Sequence, residues 1–297
     1  MSGTIHYYSN AAPVNAANVQ LQGSTAIATQ TDINGQYAFS GVSAGNWQIQ
    51  PSKAGDAGAG ISTLDAVYVL QAMAGSRTFT AAQLLACDVT GNGSLSTLDA
   101  VLILQLKVGL VTSFPVAQAC GSDWAFIPGP AGQTAPHMTI SSCQAGTIAL
   151  QSLASQADNQ DFSAVLFGDC TGNWQPSTGS GAASRRTATG VGIGHAQRRG
   201  THLRVPLVVE RTVPFLGLDI EIAFDPTRLR FRGARRVGRA SQALLAANER
   251  RPGLVALSFA NSEPLPSGAV AVLLLEETSG HSGERTIHVR SANVANE

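Results

Sequence analysis

A fifteen-residue segment of this chain occurs twice. Ile61-Ser-Thr-Leu-Asp-Ala-Val-Tyr-Val-Leu-Gln-Ala-Met-Ala-Gly75 returns 34 positions later as Leu95-Ser-Thr-Leu-Asp-Ala-Val-Leu-Ile-Leu-Gln-Leu-Lys-Val-Gly109, with nine of the fifteen residues identical. Agreement at that density is an internal duplication, so the region must fold as two copies of one unit. In each copy the apolar residues advance in steps of three and four: Leu64, Val67, Leu70 and Ala74 in the first, Leu98, Val101, Leu104 and Val108 in the second. That period predicts a pair of helices, each with an apolar stripe. Pro115 ends the second helical region, and Thr80–Ala86 between the copies is a shorter helix candidate.

Ahead of the second helix, oxygen-bearing side chains fall at Asp88, Thr90, Asn92, Ser96 and Asp99, with Gly93 between them. Counted from Asp88 these are positions 1, 3, 5, 9 and 12, with the glycine at 6, the spacing of a calcium loop that leads into a helix. Asp88, Thr90, Asn92 and Asp99 would ligate through side chains, Ser94 through its carbonyl, and Ser96 directly or through water. A metal-free, Asx-rich helix cap is the alternative. The first copy is poorer. Aligning Asp65 with Asp99 leaves only Asp56, Ser62 and Asp65 as side-chain ligands, unless the loop is contracted, and both a calcium and a metal-free reading stay open there. Asp169-Cys-Thr171-Gly-Asn173 repeats the loop's opening, but Trp174 replaces the glycine and no acid closes it. It reads as a turn, with a third cation site as the alternative.

The duplicated loop-helix unit, with Ser-Thr directly before each helix, resembles a type I dockerin, the plug of a plug-and-socket assembly system. That resemblance implies calcium as the cofactor and a cohesin-like protein as the partner. It places partner contacts on Ser62, Thr63 and Leu64 and on Ser96, Thr97 and Leu98. It also implies two docking orientations, since both copies present the same residues. The Ser-Thr pairs read equally as helix N-caps, and one hydroxyl can cap while its neighbour contacts a partner.

Before the repeat, residues 3–53 alternate apolar and polar in short runs (Thr4–Tyr8, Val19–Leu21, Tyr37–Phe39, Trp47–Ile49) separated by turn residues, which predicts an antiparallel sandwich. Thr31-Asp32-Ile-Asn34-Gly35-Gln-Tyr37-Ala-Phe39, followed by Gly45-Asn-Trp47, resembles the hairpin of the carboxypeptidase-regulatory or transthyretin-like module, which implies a structural spacer. After the repeat, residues 113–176 are strand-like and weakly patterned. They are expected to form a β extension packing on the N-terminal modules, in particular on the first sandwich, with the dockerin-like unit (54–112) inserted between its strands. Residues 177–200 read as a linker. Residues 201–297 return to β patterning, with strict alternation at Leu218, Ile220, Ile222 and Phe224. Phe224-Asp225-Pro226 followed by Leu229-Arg-Phe231, with Gly253-Leu-Val-Ala-Leu-Ser-Phe259, is similar to a cohesin, the socket that receives a dockerin. The expected fold class is mainly β with a small α unit.

Charge divides the same way. Residues 1–184 carry three basic side chains against nine Asp and no Glu, whereas residues 185–297 carry sixteen Arg and no Lys against ten acids. The net charges are therefore 3 − 9 = −6 and 16 − 10 = +6. The split reads as drift between modules or as attraction between the halves, within a chain or between chains. The arginines alternate with apolar residues on strands, a poor pattern for nucleic-acid binding. Cys87, Cys120, Cys143 and Cys170 form no C-x-x-C pair, so two disulfides in an exported protein fit better than zinc. Proximity favours Cys87 with Cys120 and Cys143 with Cys170. Three connectivities are possible, and free buried thiols are the alternative.

No apolar run reaches the ~18 residues of a membrane helix. The first residues lack the basic and apolar regions of a signal peptide and enter a strand almost at once, as a mature chain or a segment of a larger one would. Catalytic signatures are missing: no H-E-x-x-H, no G-x-S-x-G and no Walker loop. Asp219, Glu221, Asp225, Glu276 and Glu277 supply carboxylates, but only Asp219 and Glu221 would share a strand face. The sequence therefore reads as a non-catalytic, extracellular, calcium-stabilised assembly protein, with head-to-tail self-assembly into oligomers or filaments as the expectation. A scaffold adaptor, or the accessory region of a larger secreted polysaccharide-degrading enzyme, is the alternative.

Overall fold

A computed structural model describes residues 1–176, 190–210, 214–265, 267–278 and 286–295. In chain order the first elements are β1 (Ser2–Tyr7), β2 (Asn18–Gln22), β3 (Ala26–Gln30), β4 (Gln36–Ala38), β5 (Gly45–Ser52), α1 (Ala57–Gly60), α2 (Thr63–Met73), α3 (Ala81–Cys87), α4 (Thr97–Val108) and α5 (Pro115–Cys120). Then come β6 (Trp124–Pro128), β7 (His137–Met138), β8 (Cys143–Gln144), β9 (Ile148–Leu153), β10 (Phe162–Leu166), β11 (Val191–Ile193), β12 (Gln197–Arg199), β13 (His202–Val209) and β14 (Phe215–Phe224). The last are β15 (Leu229–Arg236), β16 (Leu244–Arg251), β17 (Leu254–Leu265), β18 (Gly268–Glu277) and β19 (Ile287–Ala295). The chain forms two compact units. One comprises Met1–Ile61, Thr78–Asp99 and Ser113–Ser180; the other comprises Ser62–Arg77, Ala100–Thr112 and Gly181–Glu297. The repeat, expected as one module over 54–112, is thus shared out between both.

In the first unit, two four-stranded sheets, β4-β1-β10-β6 and β3-β2-β5-β9, enclose a core. β1 and β2 alternate as the sequence requires, with Ile5, Tyr7, Val19 and Leu21 buried. Residues 1–53 do not complete this sandwich. β9 pairs with β5, and β10 runs parallel to β1 while pairing with β6, so strands from 124–166 fill both sheets. Tyr7, Trp124 and Trp174 pack with ring centroids 5.0 to 5.8 Å apart, each pair contributing about 0.5–1.5 kcal/mol beyond its buried area. The Thr31–Phe39 segment is a corner and not a hairpin, because β3 and β4 lie in different sheets. Asp32 ties that corner by accepting the Asn34 and Gln36 amides.

The cysteines pair as Cys87–Cys170 and Cys120–Cys143, correcting the pairing expected from proximity. Backbone bonding explains the change. The Gly168 amide donates to the Ala86 carbonyl, which brings the end of β10 against α3. The Cys120 and Cys143 sulfurs both approach the Thr139 carbonyl. Pro115 does not stop the second repeat helix. α4 has already ended at Val108, and the proline begins α5, where its missing N–H costs nothing.

In the second unit, the sheets β11-β13-β18-β15 (with β12 on β13) and β16-β17-β14-β19 form a sandwich around Leu203, Val205, Leu218, Ile220, Leu257 and Leu273. Of the expected linker, 177–189 lies outside the described residues, while 191–193 and 197–199 are strands paired to β13. The helical stripes also differ from expectation. Ala66, Val67 and Val69 are buried in α2 and Ala100, Ile103, Leu104 and Val108 in α4, whereas Ala74 and Leu98 are exposed. Ala66 and Ala100, two residues after each repeated Leu, are both fully buried and belong to the buried face.

Candidate docking site

Both repeat helices begin the same way. In α2 the Asp65 carboxylate accepts the Ser62 amide (2.6 Å) and hydroxyl (2.9 Å); in α4 Asp99 accepts those of Ser96 (2.8 and 2.9 Å). The repeated Ser-Thr-Leu-Asp is therefore a helix start in which a carboxylate satisfies an orphan N–H and sits at the positive end of the helix dipole. Serine is consumed by this cap. The threonine after it is free to face outward.

Within the second unit, α2 packs over β17 and β14. The sheet face it meets is built from small residues: Gly217 and Asp219 of β14 oppose Ala260 and Ser258 of β17, and Asp219 opposes Asn293 of β19. Ala256, Ser258 and Ala260 point away from the sandwich core yet are buried, because the helix covers them. Thr63 is 1% exposed. Its hydroxyl donates to Asp219 Oδ1 and lies 3.0 Å from Ser258 Oγ, which itself donates to the same carboxylate oxygen at 2.5 Å. Gly217 makes the approach possible: a Cβ there would stand 2.7 Å from Thr63 Cγ2.

The end of α4 meets the same face. Arg250 Nε donates to the Val108 carbonyl at 3.2 Å and its Nη2 to the Lys107 carbonyl, while Asn248 Nδ2 donates to Val108 at 3.1 Å. Glu221 holds Arg250 through a 3.2 Å ion pair. A guanidinium on the last carbonyls opposes the negative end of the helix dipole. A cavity of about 160 Å3 lies beside these groups, lined by Val108, Asp219, Glu221, Arg250 and Asn293 among others. The two strand-face carboxylates thus bind a threonine and an arginine. Of the other acids, Asp225 accepts from Thr227, Glu276 pairs with Arg232 and Glu277 with Arg198.

Solved structures similar to this chain are cohesin modules. A cohesin module from a Clostridium perfringens family 33 glycoside hydrolase is 13% identical, covering 36% of this chain and 84% of that one, with a TM-score of 0.31. The sixth cohesin of Acetivibrio cellulolyticus scaffoldin B, solved with a mutant Cel5 dockerin, is 14% identical over 36% and 86%, with a TM-score of 0.31. A non-cellulosomal cohesin from the archaeon Archaeoglobus fulgidus is 10% identical over 32% and 68%, with a TM-score of 0.28. Neither a family model nor a curated protein matches the sequence.

The loop before α4 lies in the first unit. Asp88 Oδ1 accepts the Thr90 hydroxyl (2.9 Å) and the Asn92 amide (3.1 Å), Asp88 Oδ2 accepts the Gly93 amide (2.6 Å), and Asp99 Oδ1 accepts the Thr90 amide (2.9 Å). Asn92 Oδ1 accepts the Ser94 amide and hydroxyl, both at 2.9 Å. Gly93, at φ +86°, takes the turn a side chain would strain. The loop is therefore closed by its own Asp88, Asn92 and Asp99 side chains on its backbone amides. Asp88, Thr90, Asn92, Ser94, Ser96 and Asp99 are the oxygen donors that could hold a calcium ion here, and among the described residues no cation pairs with Asp88 or Asp99. The first loop differs. Asp56 pairs with Lys53 at 3.0 Å, while Ser62 and Asp65 are engaged in the α2 cap as Ser96 and Asp99 are in that of α4. Asp169 is fully buried and accepts Tyr7 Oη, the Thr171 hydroxyl and the Gly172, Asn173 and Trp174 amides. Those five donors organise a turn.

Of the expected partner residues, Thr63 is on the sheet and Leu64 is half-buried, while Thr97 and Leu98 are exposed, Leu98 by 54%. Gly217, Asn248, Arg250 and Ser258 were not singled out from sequence. Gly217, directly ahead of the strictly alternating Leu218–Phe224, was the available signal of close approach.

Proposed function

We propose that this protein is a non-catalytic assembly protein of the cohesin–dockerin type, in which the repeat is the plug and the second sandwich the socket. The observation that carries it is the Thr63 hydroxyl seated on Asp219 and Ser258, where a residue of the repeated motif meets the socket sheet. In this reading calcium is bound by Asp88, Thr90, Asn92, Ser94, Ser96 and Asp99 and supplies positive charge that locks the loop ahead of α4. The first loop, neutralised by Lys53, holds its helix without metal. The protein works outside the cell, where its two disulfides persist.

Plug and socket lie on one chain, so the contact that closes within a molecule can also be exchanged between molecules, giving head-to-tail oligomers or filaments. Sedimentation velocity over a concentration series tests this in millimolar calcium and in excess EGTA. Growth with concentration that collapses in EGTA and in Thr63→Arg supports it. Monomers at every concentration in both buffers overturn self-assembly. The adaptor reading rests on a separate observation, the exposed Thr97 and Leu98 of the second copy, which would meet a socket on another chain. Capture of an added cohesin by wild type but not by Leu98→Asp would favour it.

A further inference from the structure

The sheet on the other side of the second sandwich carries a different surface. Register places Arg199 opposite His202, His202 opposite Glu276, and Glu276 opposite Arg230, a row across β12, β13, β18 and β15. One step along, Arg204 opposes Leu274. A bulge between Phe231 and Gly233 adds Arg232, whose Nε bonds Glu276 at 2.6 Å. Directly opposed residues share a face, and these alternate with the buried Leu203, Val205 and Leu275. Four arginines and a histidine therefore surround a single carboxylate. Glu276 feels them: its carboxyl is held below its ordinary value, first by the Arg232 hydrogen bond and charge and then by the charges of His202 and Arg230. Among the described residues, Arg199, Arg204 and Arg230 form no ion pair, and all three are exposed.

Arginines on a rigid sheet cannot scatter as they would on a loop, and each presents a planar fork that matches a carboxylate. The first unit holds eight aspartates against one basic side chain, Lys53, a net 1 − 8 = −7. Asp32 and Asp158 in the first unit are exposed. We propose that this arginine face is a second docking surface, whose partner is the acidic first unit of another copy of the chain. The face lies on the sheet opposite the one that receives α2, so this contact does not depend on the plug-and-socket reading. Each contact joins two different surfaces, so the two together would leave each molecule able to hold up to four neighbours.

The test is sedimentation velocity of the full-length chain in 50 and 300 mM NaCl, always in EGTA. EGTA removes any contact that needs calcium, and a parallel run on Thr63→Arg removes the Thr63 contact, which the metal-free first copy makes. The expected result is association in low salt that weakens at least tenfold in high salt, because exposed charge pairs are screened. The triple variant R199E/R204E/R230E and the double variant D32K/D158K should each lose it. Mixing the two reversed variants should restore association, since each then presents the charge the other lost. Monomers in low salt, association indifferent to salt, or failure of the mixture to associate would overturn the proposal. So would binding of an acidic polysaccharide such as polygalacturonate to the face of a chain that stays monomeric. Circular dichroism on the variants separates lost docking from lost folding.

Discussion

Thr63→Val keeps the β-branched shape of the residue and removes only its hydroxyl. That hydroxyl donates to the Asp219 carboxylate and touches Ser258, and at 1% exposure no water replaces it. A hydrogen bond to a charged group is worth roughly 1.5–3 kcal/mol, and Asp219 keeps the Ser258 donor. The expected loss is therefore about 2 kcal/mol, near the middle of that range. At ~1.36 kcal/mol per tenfold, the helix should separate from the sheet roughly 30 times more readily. Hydrogen exchange read by mass spectrometry on the intact chain measures this directly, because amides in 63–73 exchange through local opening. Their protection should fall about 30-fold while that of β13 and β18 stays within about twofold. Ser62→Ala is the comparator, since it removes a cap worth about 1 kcal/mol and should affect only the first turn. Gly217→Ala attacks from the other side, placing a Cβ 2.7 Å from Thr63 Cγ2 and 3.1 Å from the Phe259 carbonyl. If Thr63→Val and Gly217→Ala both leave α2 protection within about twofold, this contact does not hold the helix and the reasoning fails.

Calcium at 100 times its dissociation constant should stabilise the first unit by about 2.7 kcal/mol, raising its melting temperature by roughly 5–10 °C in scanning calorimetry. Asp88→Ala and Asp99→Asn should abolish the response, whereas Asp56→Asn should leave it. Loss of Cys87–Cys170, with its separation of 83 residues, should cost ~4.5 kcal/mol against ~3.4 for Cys120–Cys143, with its separation of 23. Urea unfolding of the two Cys→Ser pairs reads that order, and a non-reduced digest should yield only these two cross-links. Glu276 titrates below the ordinary 4.5, so its contribution to stability is fully present above that value and is lost as pH falls through the lowered one. A carboxyl-detected NMR titration should show its midpoint move back up in Arg232→Met.

The repeat, the loop and the strand alternation were readable because each is a local pattern. Period 3.6 makes Val67 and Leu104 buried helix residues, and period 2 places Leu218, Ile220, Ile222 and Phe224 in the second core. What escaped were relations between segments. Nothing near Ile148 or Phe162 states that these strands complete a sandwich begun at Ser2; that is decided by pairing with β5 and β1. Cysteine pairing failed for the same reason. Separation along the chain favours Cys87 with Cys120, but β10 carries Cys170 back to α3. Thr63 was expected to meet a partner; that it is buried against Asp219 and Ser258 of its own chain was not readable. Asp219 and Glu221 stood out as carboxylates on one face, and only the paired strands show that Ser258, Ser291 and Arg250 share it.

The two copies of Ser-Thr-Leu-Asp show how much of a site lies in its surroundings. In both, serine and aspartate close the helix start with nearly the same distances, so the local sequence fully determines that cap. The threonines then diverge: Thr63 is buried against Asp219 and Ser258, while Thr97 stays exposed beside an exposed Leu98. A cap alone cannot require this, since serine would serve at position 62 or 96 whatever followed it. The residues after the cap are therefore the part of the motif that docking can use. In the first copy Asp56 pairs with Lys53, while in the second Asp88, Asn92 and Asp99 accept hydrogen bonds from the loop and the cap and, among the described residues, pair with no cation. The copy whose threonine is buried lacks the oxygen-rich loop, and the copy that has it begins with an exposed Thr97 and Leu98. Under the plug-and-socket reading this is a division of labour, with the start of one helix held by the chain's own sheet and the start of the other, whose end Arg250 and Asn248 hold, stabilised by calcium for a second contact.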